Sequence, residues 1–260
     1  MKRQPATFKD LTGIMDALRG ESGCPWDKDQ SEHTIIMYLI EEAHELIEAI
    51  EEGSPGKICE ELGDLLFQIL FLARIEKEKG HFDIEDVIDG ICDKMVARHP
   101  HVFGGAVCEN SAEVLKQWDD IKKSEGRHDS SILNGVPKTL PSLLRAFMIQ
   151  DRASRAGFDW DKTNEVLGKL EEEFAEFKEA AKQNDPGRVE DELGDILFTM
   201  VNVSRFIKVN PEEALRKTIN RFIERFKYME QAAKGRDTSL SDMTISEMDA
   251  LWKEAKHKGI

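Results

Sequence analysis

Carboxylates recur in this chain at a spacing that suits metal chemistry. Residues 41–45 read EEAHE and 60–64 read EELGD; residues 172–176 read EEFAE and 191–195 read DELGD, each 131 positions further on. Glu42 and Glu45 stand three residues apart, as do Glu61 and Asp64, Glu173 and Glu176, and Glu192 and Asp195. On a helix that spacing places both members of a pair near one edge. Four carboxylates gathered in one place repel one another unless they are protonated or neutralised. An oxygen-only ligand set suits a hard cation, Mg2+ or Mn2+, better than zinc or copper. Each acidic word is therefore read as half of a metal site, with one site per copy.

The elements that must position these groups are helices. At about 100° per residue, Glu42 borders an apolar stripe of Ile35, Leu39, Ala43, Leu46 and Ile50, and Glu61 borders one of Ile58, Leu62, Leu65, Leu66 and Ile69. The second copy repeats the arrangement with Leu170, Phe174, Ile196 and Met200 in the stripe. Glu45 and Asp64 fall on the far side at matching angles, whereas Glu41 and Glu172 point nearly opposite the stripe, either solvated or reaching a second ion. The short turns GSPGK (53–57) and NDPGR (184–188) predict antiparallel helix pairs whose carboxylates face each other at the rim of the apolar seam.

The repetition extends beyond the acidic words. CPWD (24–27) answers FDWD (158–161), and LKQWDDIKK (115–123) answers DALWKEAKH (249–257), which brings Trp118 and Trp252 into register. The predicted fold is all-α: a tandem repeat of two helical bundles, residues 1–124 and 142–260, joined by a turn-rich linker over 125–141. Each copy's apolar stripes are too long for two helices to bury alone, so the bundles are expected to form a homodimer.

Bulk properties exclude several classes of function. A formal charge of -15 repels nucleic-acid backbones, and no run of Lys/Arg offsets it, so no nucleic-acid partner is expected. The polar start MKRQPATFKD and the lack of a long apolar run argue against a signal peptide and against a membrane partner. Cys24, Cys59, Cys92 and Cys108 form no C-x-x-C pair and fit reduced thiols in a cytoplasmic protein. Nothing reads G-x-x-x-x-G-K-[ST], so P-loop chemistry has no support. His44 follows Glu41 at the spacing of a di-iron bundle ligand, but the facing word is ELGD and the second copy has Ala175 there, which disfavours a redox centre. His99 and His101 flank Pro100 in a structural turn, and His128-Asp129 lies in the linker without partners.

The two E-E-x-x-E words followed by E-x-x-D, together with GCPWD (23–27), RHPHVFGG (98–105) and GVPKTLPSLLRA (135–146), resemble the MazG nucleotide pyrophosphohydrolases over essentially the whole chain. The resemblance implies an all-α dimeric enzyme that hydrolyses ribo- and deoxyribonucleoside triphosphates between the α and β phosphates, giving a nucleoside monophosphate and pyrophosphate. It implies metal ligands at Glu173, Glu176, Glu192 and Asp195, and equally at Glu42, Glu45, Glu61 and Asp64. Glu172 and Glu41 match the family's leading glutamate, which orients the attacking water or holds another ion.

Binding a triphosphate also needs protein cations. Lys94 and Arg98, and in the second copy Arg221 and Arg225, stand four residues apart, so each pair shares a helix face suited to phosphate oxygens. Trp118 and Trp252 either flank the nucleotide or close the bundle. The second copy is expected to carry the principal catalytic site: the first has three more residues between Asp27 and Glu41 than separate Asp161 from Glu172, and RHPHVFGG follows directly on its Arg98. The alternative to an enzyme is a non-catalytic sensor of nucleotides or metal.

Overall fold

The computed structural model describes residues 5–110, 113–114, 117–118, 121 and 131–260, so residues 125–130 of the expected linker, with His128 and Asp129, lie outside the described residues. All regular structure among the described residues is helical. The chain divides into two compact units, Met1–Gly126 and Arg127–Ile260. No described helix is long and apolar enough to cross a membrane.

In the first unit the helices are α1 (Phe8–Arg19), α2 (Pro25–Lys28), α3 (Glu32–Glu52), α4 (Pro55–Glu78), α5 (Ile84–Arg98) and α6 (Pro100–Phe103). Their starts are chemically marked. Thr7 with Asp10, Ser31 with Thr34, and Asp83 with Asp86 exchange capping hydrogen bonds, and Pro55 opens α4 where a missing N–H costs nothing. Gly53 ends α3 at φ 65, a left-handed conformation that favours glycine, and the chain reverses into α4. The α3–α4 pair is the backbone of the unit, and α1 and α5 pack on α4. Met15, Ile35, Leu70, Phe71 and Ile75 form its buried core. Arg19 grips the Glu78 carboxylate at 2.7 Å, reaches the carbonyls of Asp27 and Gln30, and lies over the Phe71 ring, which fixes the CPWD segment to the bundle.

The second unit contains α7 (Ser142–Arg155), α8 (Thr163–Gln183), α9 (Pro186–Phe206), α10 (Pro211–Lys234), a 3-10 turn (Leu240–Asp242) and α11 (Ile245–His257). Asn184, at φ 53, makes the reversal that Gly53 makes in the first unit, and Asp185 caps α9 through the Arg188 N–H. Helix α9 packs on α8 and α7; α10 packs on α7 and α11. Gln150 locks α7 to α9 by donating to the Phe198 carbonyl at 2.8 Å. Residues 131–136 run as turns over α7, where Arg152 donates to the carbonyls of Ile132, Asn134 and Gly135.

The predicted apolar stripes divide in two. Ile35 and Ile196 are buried, while Ile50, Leu62, Ile69, Phe174 and Met200 are exposed on the same helices. A stripe wider than one neighbour covers leaves its outer edge in solvent, and here both helix pairs carry such an edge.

Candidate active site

The turns after Gly53 and Asn184 bring the acidic helices together as the spacing implied. On α3 and α4, carboxylate oxygens of Glu42, Glu45 and Glu61 all lie within 4.8 Å of one another, and on α8 and α9 those of Glu173, Glu176 and Glu192 do the same. Glu173 is buried, at 5% exposure; the Glu42, Glu61, Glu176 and Glu192 side chains are half-buried and Glu45 is exposed. Asp64 and Asp195 are exposed and fall outside these triads. An aspartate is one methylene shorter than a glutamate, so at three residues beyond Glu61 or Glu192 its carboxylate stays one step from the cluster. Asp64 nevertheless acts electrostatically on Glu42 and Glu61. Glu41 and Glu172 are exposed beside their triads.

The two triads are compensated differently. In the second unit Lys169 reaches Glu172 at 2.9 Å and Glu173 at 2.8 Å, and this pairing drives its own pKa far above the ordinary lysine range. Arg188 approaches Glu192 at 3.4 Å. In the first unit the position matching Lys169 is Tyr38 and that matching Arg188 is Lys57, which pairs with Glu52 instead; among the described residues Glu42 receives a hydrogen bond from Gln68, at 3.4 Å. Lys169 was missed by the sequence reading. Its signal was there, since a lysine three and four residues ahead of two glutamates shares their helix face.

Unsatisfied repulsion is visible in the carboxyl groups. Burial pushes Glu42 above the ordinary glutamate range against the Gln68 hydrogen bond, and Asp64, Glu45 and Glu41 push the same way. Glu61 is raised by burial and then by Glu45, Glu60, Asp64 and Glu42; Glu176 is raised by burial and then by Glu192 and Glu173. A raised folded value means that the fold binds protons more readily than the unfolded chain, so these groups stabilise the metal-free protein as pH falls toward the carboxylate range. Carboxylates held low by partners, such as Glu78 by Arg19 and Asp159 by Arg205, lose their contribution only within and below that range. The metal-free chain should therefore melt at a higher temperature at pH about 5.5 than at about 7.5, with the gain shrinking in Mg2+. A melting temperature no higher at pH about 5.5 than at about 7.5 would show that burial and mutual repulsion do not raise these glutamates.

The basic pairs separate as well. In the second unit the Arg225 guanidinium lies 5.4 Å over the Trp252 ring and its Nε donates to the Ile260 main-chain oxygen at 2.7 Å; Trp252 in turn leans on Phe222 at 5.2 Å. Arg221 donates to Thr218. Neither arginine hydrogen-bonds or pairs with a triad carboxylate among the described residues. In the first unit Lys94 is half-buried and Arg98 is buried at 7% exposure, at the end of α5. The RHPHVF turn is internally packed: His99 Nδ1 bonds the Met95 carbonyl, His99 lies 5.6 Å from His101 and 6.0 Å from Trp118, and His101 Nδ1 meets Gln117. His44 is exposed on α3.

A carboxylate-only triad spanning two helices fits a hard divalent cation in donor type. A family model described as the MazG nucleotide pyrophosphohydrolase domain matches residues 30–103 and 162–229, which contain both triads. A Thermotoga maritima protein named nucleoside triphosphate pyrophosphohydrolase/pyrophosphatase MazG is 44% identical over 257 residues, 98% of each chain. The Escherichia coli K12 nucleoside triphosphate pyrophosphohydrolase is 39% identical over 255 residues, 96% of this chain and 97% of its own. A solved structure, a mazG-related protein from Thermotoga maritima, matches 44% of this chain and 98% of its own at 28% identity and a TM-score of 0.39.

Proposed function

Because the chain belongs to the MazG nucleotide pyrophosphohydrolase family, we propose that it hydrolyses ribo- and deoxyribonucleoside triphosphates between the α and β phosphates to a nucleoside monophosphate and pyrophosphate. The reading rests on one observation above others, the convergence of Glu173, Glu176 and Glu192 from two helices inside a family-matched segment. These three, with Asp195, are the residues that would hold Mg2+ or Mn2+ in the second unit. A bound cation there neutralises phosphate charge, polarises phosphoryl oxygens and lowers the pKa of water.

The chain's own groups supply the rest. Glu172, exposed beside the triad and paired with Lys169, orients the attacking water. Lys169 pairs with Glu173 at 2.8 Å and restrains its carboxylate. Arg221 and Arg225 grip the phosphates, Arg225 as a planar fork over Trp252, whose ring borders the nucleoside. Among the described residues these arginines do not bond to the triad carboxylates, so in this proposal substrate or a second subunit bridges the two groups. The exposed apolar edges of α3, α4, α8 and α9 support the latter, in a homodimer. Four free cysteines, Cys59 and Cys92 exposed, support a reducing, cytoplasmic setting.

The burial of Arg98 favours a second reading for the first unit: Glu42, Glu45 and Glu61 bind metal there without turning over nucleotide. Incubating the chain with each nucleoside triphosphate and Mg2+ and separating products by ion exchange tests the activity. Monophosphate and pyrophosphate in equal amounts are expected. Diphosphate with orthophosphate, or unchanged substrate, would reject the proposal.

A further inference from the structure

Arg225 is held from two sides by α11. Its guanidinium lies over Trp252 in the body of that helix, and its Nε–H is taken by the Ile260 main-chain oxygen just past the helix end. Where that oxygen lies is decided by the way α11 stops. Gly259 adopts φ +80, its N–H bonds the Lys256 carbonyl at 3.2 Å, and the Ile260 N–H bonds the Ala255 carbonyl at 3.2 Å. These are the paired bonds of a left-handed helix stop, and they require a residue tolerant of positive φ at position 259. The same end is lashed to α10 one turn beyond Arg225: Lys258 Nζ and Tyr228 Oη are 2.6 Å apart, Tyr228 donates to Glu254 at 2.6 Å, and Lys258 pairs with Glu254 at 3.0 Å. The turn is thus a fixed piece of structure, and the contact it makes to Arg225 comes from the main chain rather than from a replaceable side chain.

An arginine can offer phosphate either its Nε/Nη edge or its Nη1/Nη2 edge. With Nε committed to Ile260, the Nη1/Nη2 edge is the pair left for a ligand, and no described protein group takes it. We infer that the turn Lys258–Ile260 is a positioning device: it anchors Arg225 over Trp252 so that the Nη1/Nη2 edge meets a triphosphate already ordered. The inference rests on the reading of Arg225 as a phosphate ligand. Its physical basis is that a long side chain immobilised before binding does not lose that freedom on binding, so the gain falls on substrate affinity.

The test is made on the full chain, with KM and kcat for a nucleoside triphosphate, the melting temperature as a check on folding, and Arg225→Gln as the reference. Gly259→Val places a β-branched residue where φ must be positive and should raise KM about three- to tenfold with kcat nearly unchanged. Gly259→Asn, which tolerates that conformation, should stay near the parent. Arg225→Gln should raise KM at least as much, and adding Gly259→Val to it should change nothing further. Should Gly259→Val fold poorly, Gly259→Ala places a smaller side chain at the same positive φ instead. If Arg225→Gln raises KM while Gly259→Val and Gly259→Ala do not, the turn has no positioning role and the phosphate reading stands. If Arg225→Gln leaves KM unchanged, the phosphate reading falls and this inference with it. A lower KM in Gly259→Val, or an equal rise in the Arg225→Gln background, also overturns it.

Discussion

Replacing Glu173 by glutamine in the intact chain is expected to cut nucleoside triphosphate turnover by about 10²–10³-fold, the scale of losing several kcal/mol of charge stabilisation, whereas Glu42→Gln should cost less than about threefold. Glutamine keeps the shape and removes the charge, so the comparison isolates electrostatics. Glu173 is the most buried triad member and the one braced by Lys169; its variant leaves Lys169 paired with Glu172, so folding is expected to survive. The asymmetry follows from the neighbouring cations rather than from the carboxylates. Both triads converge equally, but the second unit offers an arginine over a tryptophan while the first has its corresponding Arg98 inside the bundle. Equal losses in the two variants would place catalysis in both units; a loss confined to Glu42→Gln would reverse the assignment.

The second large effect concerns the cation itself. Removing divalent metal with a chelator should silence turnover, and Mg2+ or Mn2+ should restore it, because a triphosphate and a chain of formal charge -15 repel each other without an ion between them. A readout independent of activity accompanies this. Metal at about one hundred times its dissociation constant stabilises a fold by about 2.7 kcal/mol, so the melting temperature should rise on adding Mg2+. The rise should come in two parts, one lost in Glu42→Gln and the other in Glu173→Gln, since each unit has its own triad. Full turnover in chelator would remove the metal from the mechanism.

Much of this arrangement was legible in the sequence, and the reason is periodicity. Glu42, Glu61, Glu173 and Glu192 each border an apolar stripe, and two short turns then suffice to bring them together, because the geometry of a helix and a tight reversal leaves few alternatives. What escaped depends on distances that a helical projection does not hold. Asp64 and Asp195 share the right edge yet stay outside the triads, because the projection gives an angle and not the reach of a side chain. The burial of Arg98 depends on tertiary packing that helix spacing does not carry, and the grip on Arg225 comes from a main-chain oxygen, which no residue type announces. The stripes are wider than the chain's own helices cover, as their length implied: Ile50, Leu62, Ile69, Phe174 and Met200 stay exposed.

The pairing of helices has a consequence for how the chain acquires its shape. In each unit the most extensive helix pairings join sequence neighbours, α3 with α4 and α8 with α9, while α1 on α4, α7 on α9 and α10, and the Arg19–Glu78 brace, 59 residues apart, close over longer stretches inside the same unit. Pairing across a short turn costs little entropy, which favours early formation of each helix pair. Every contact the first unit makes for itself is available before the second emerges from the ribosome. A tandem array of similar sequences is exposed to pairing one copy's helices with the other's, and early completion of the first unit removes half of the strands of that error before it can form.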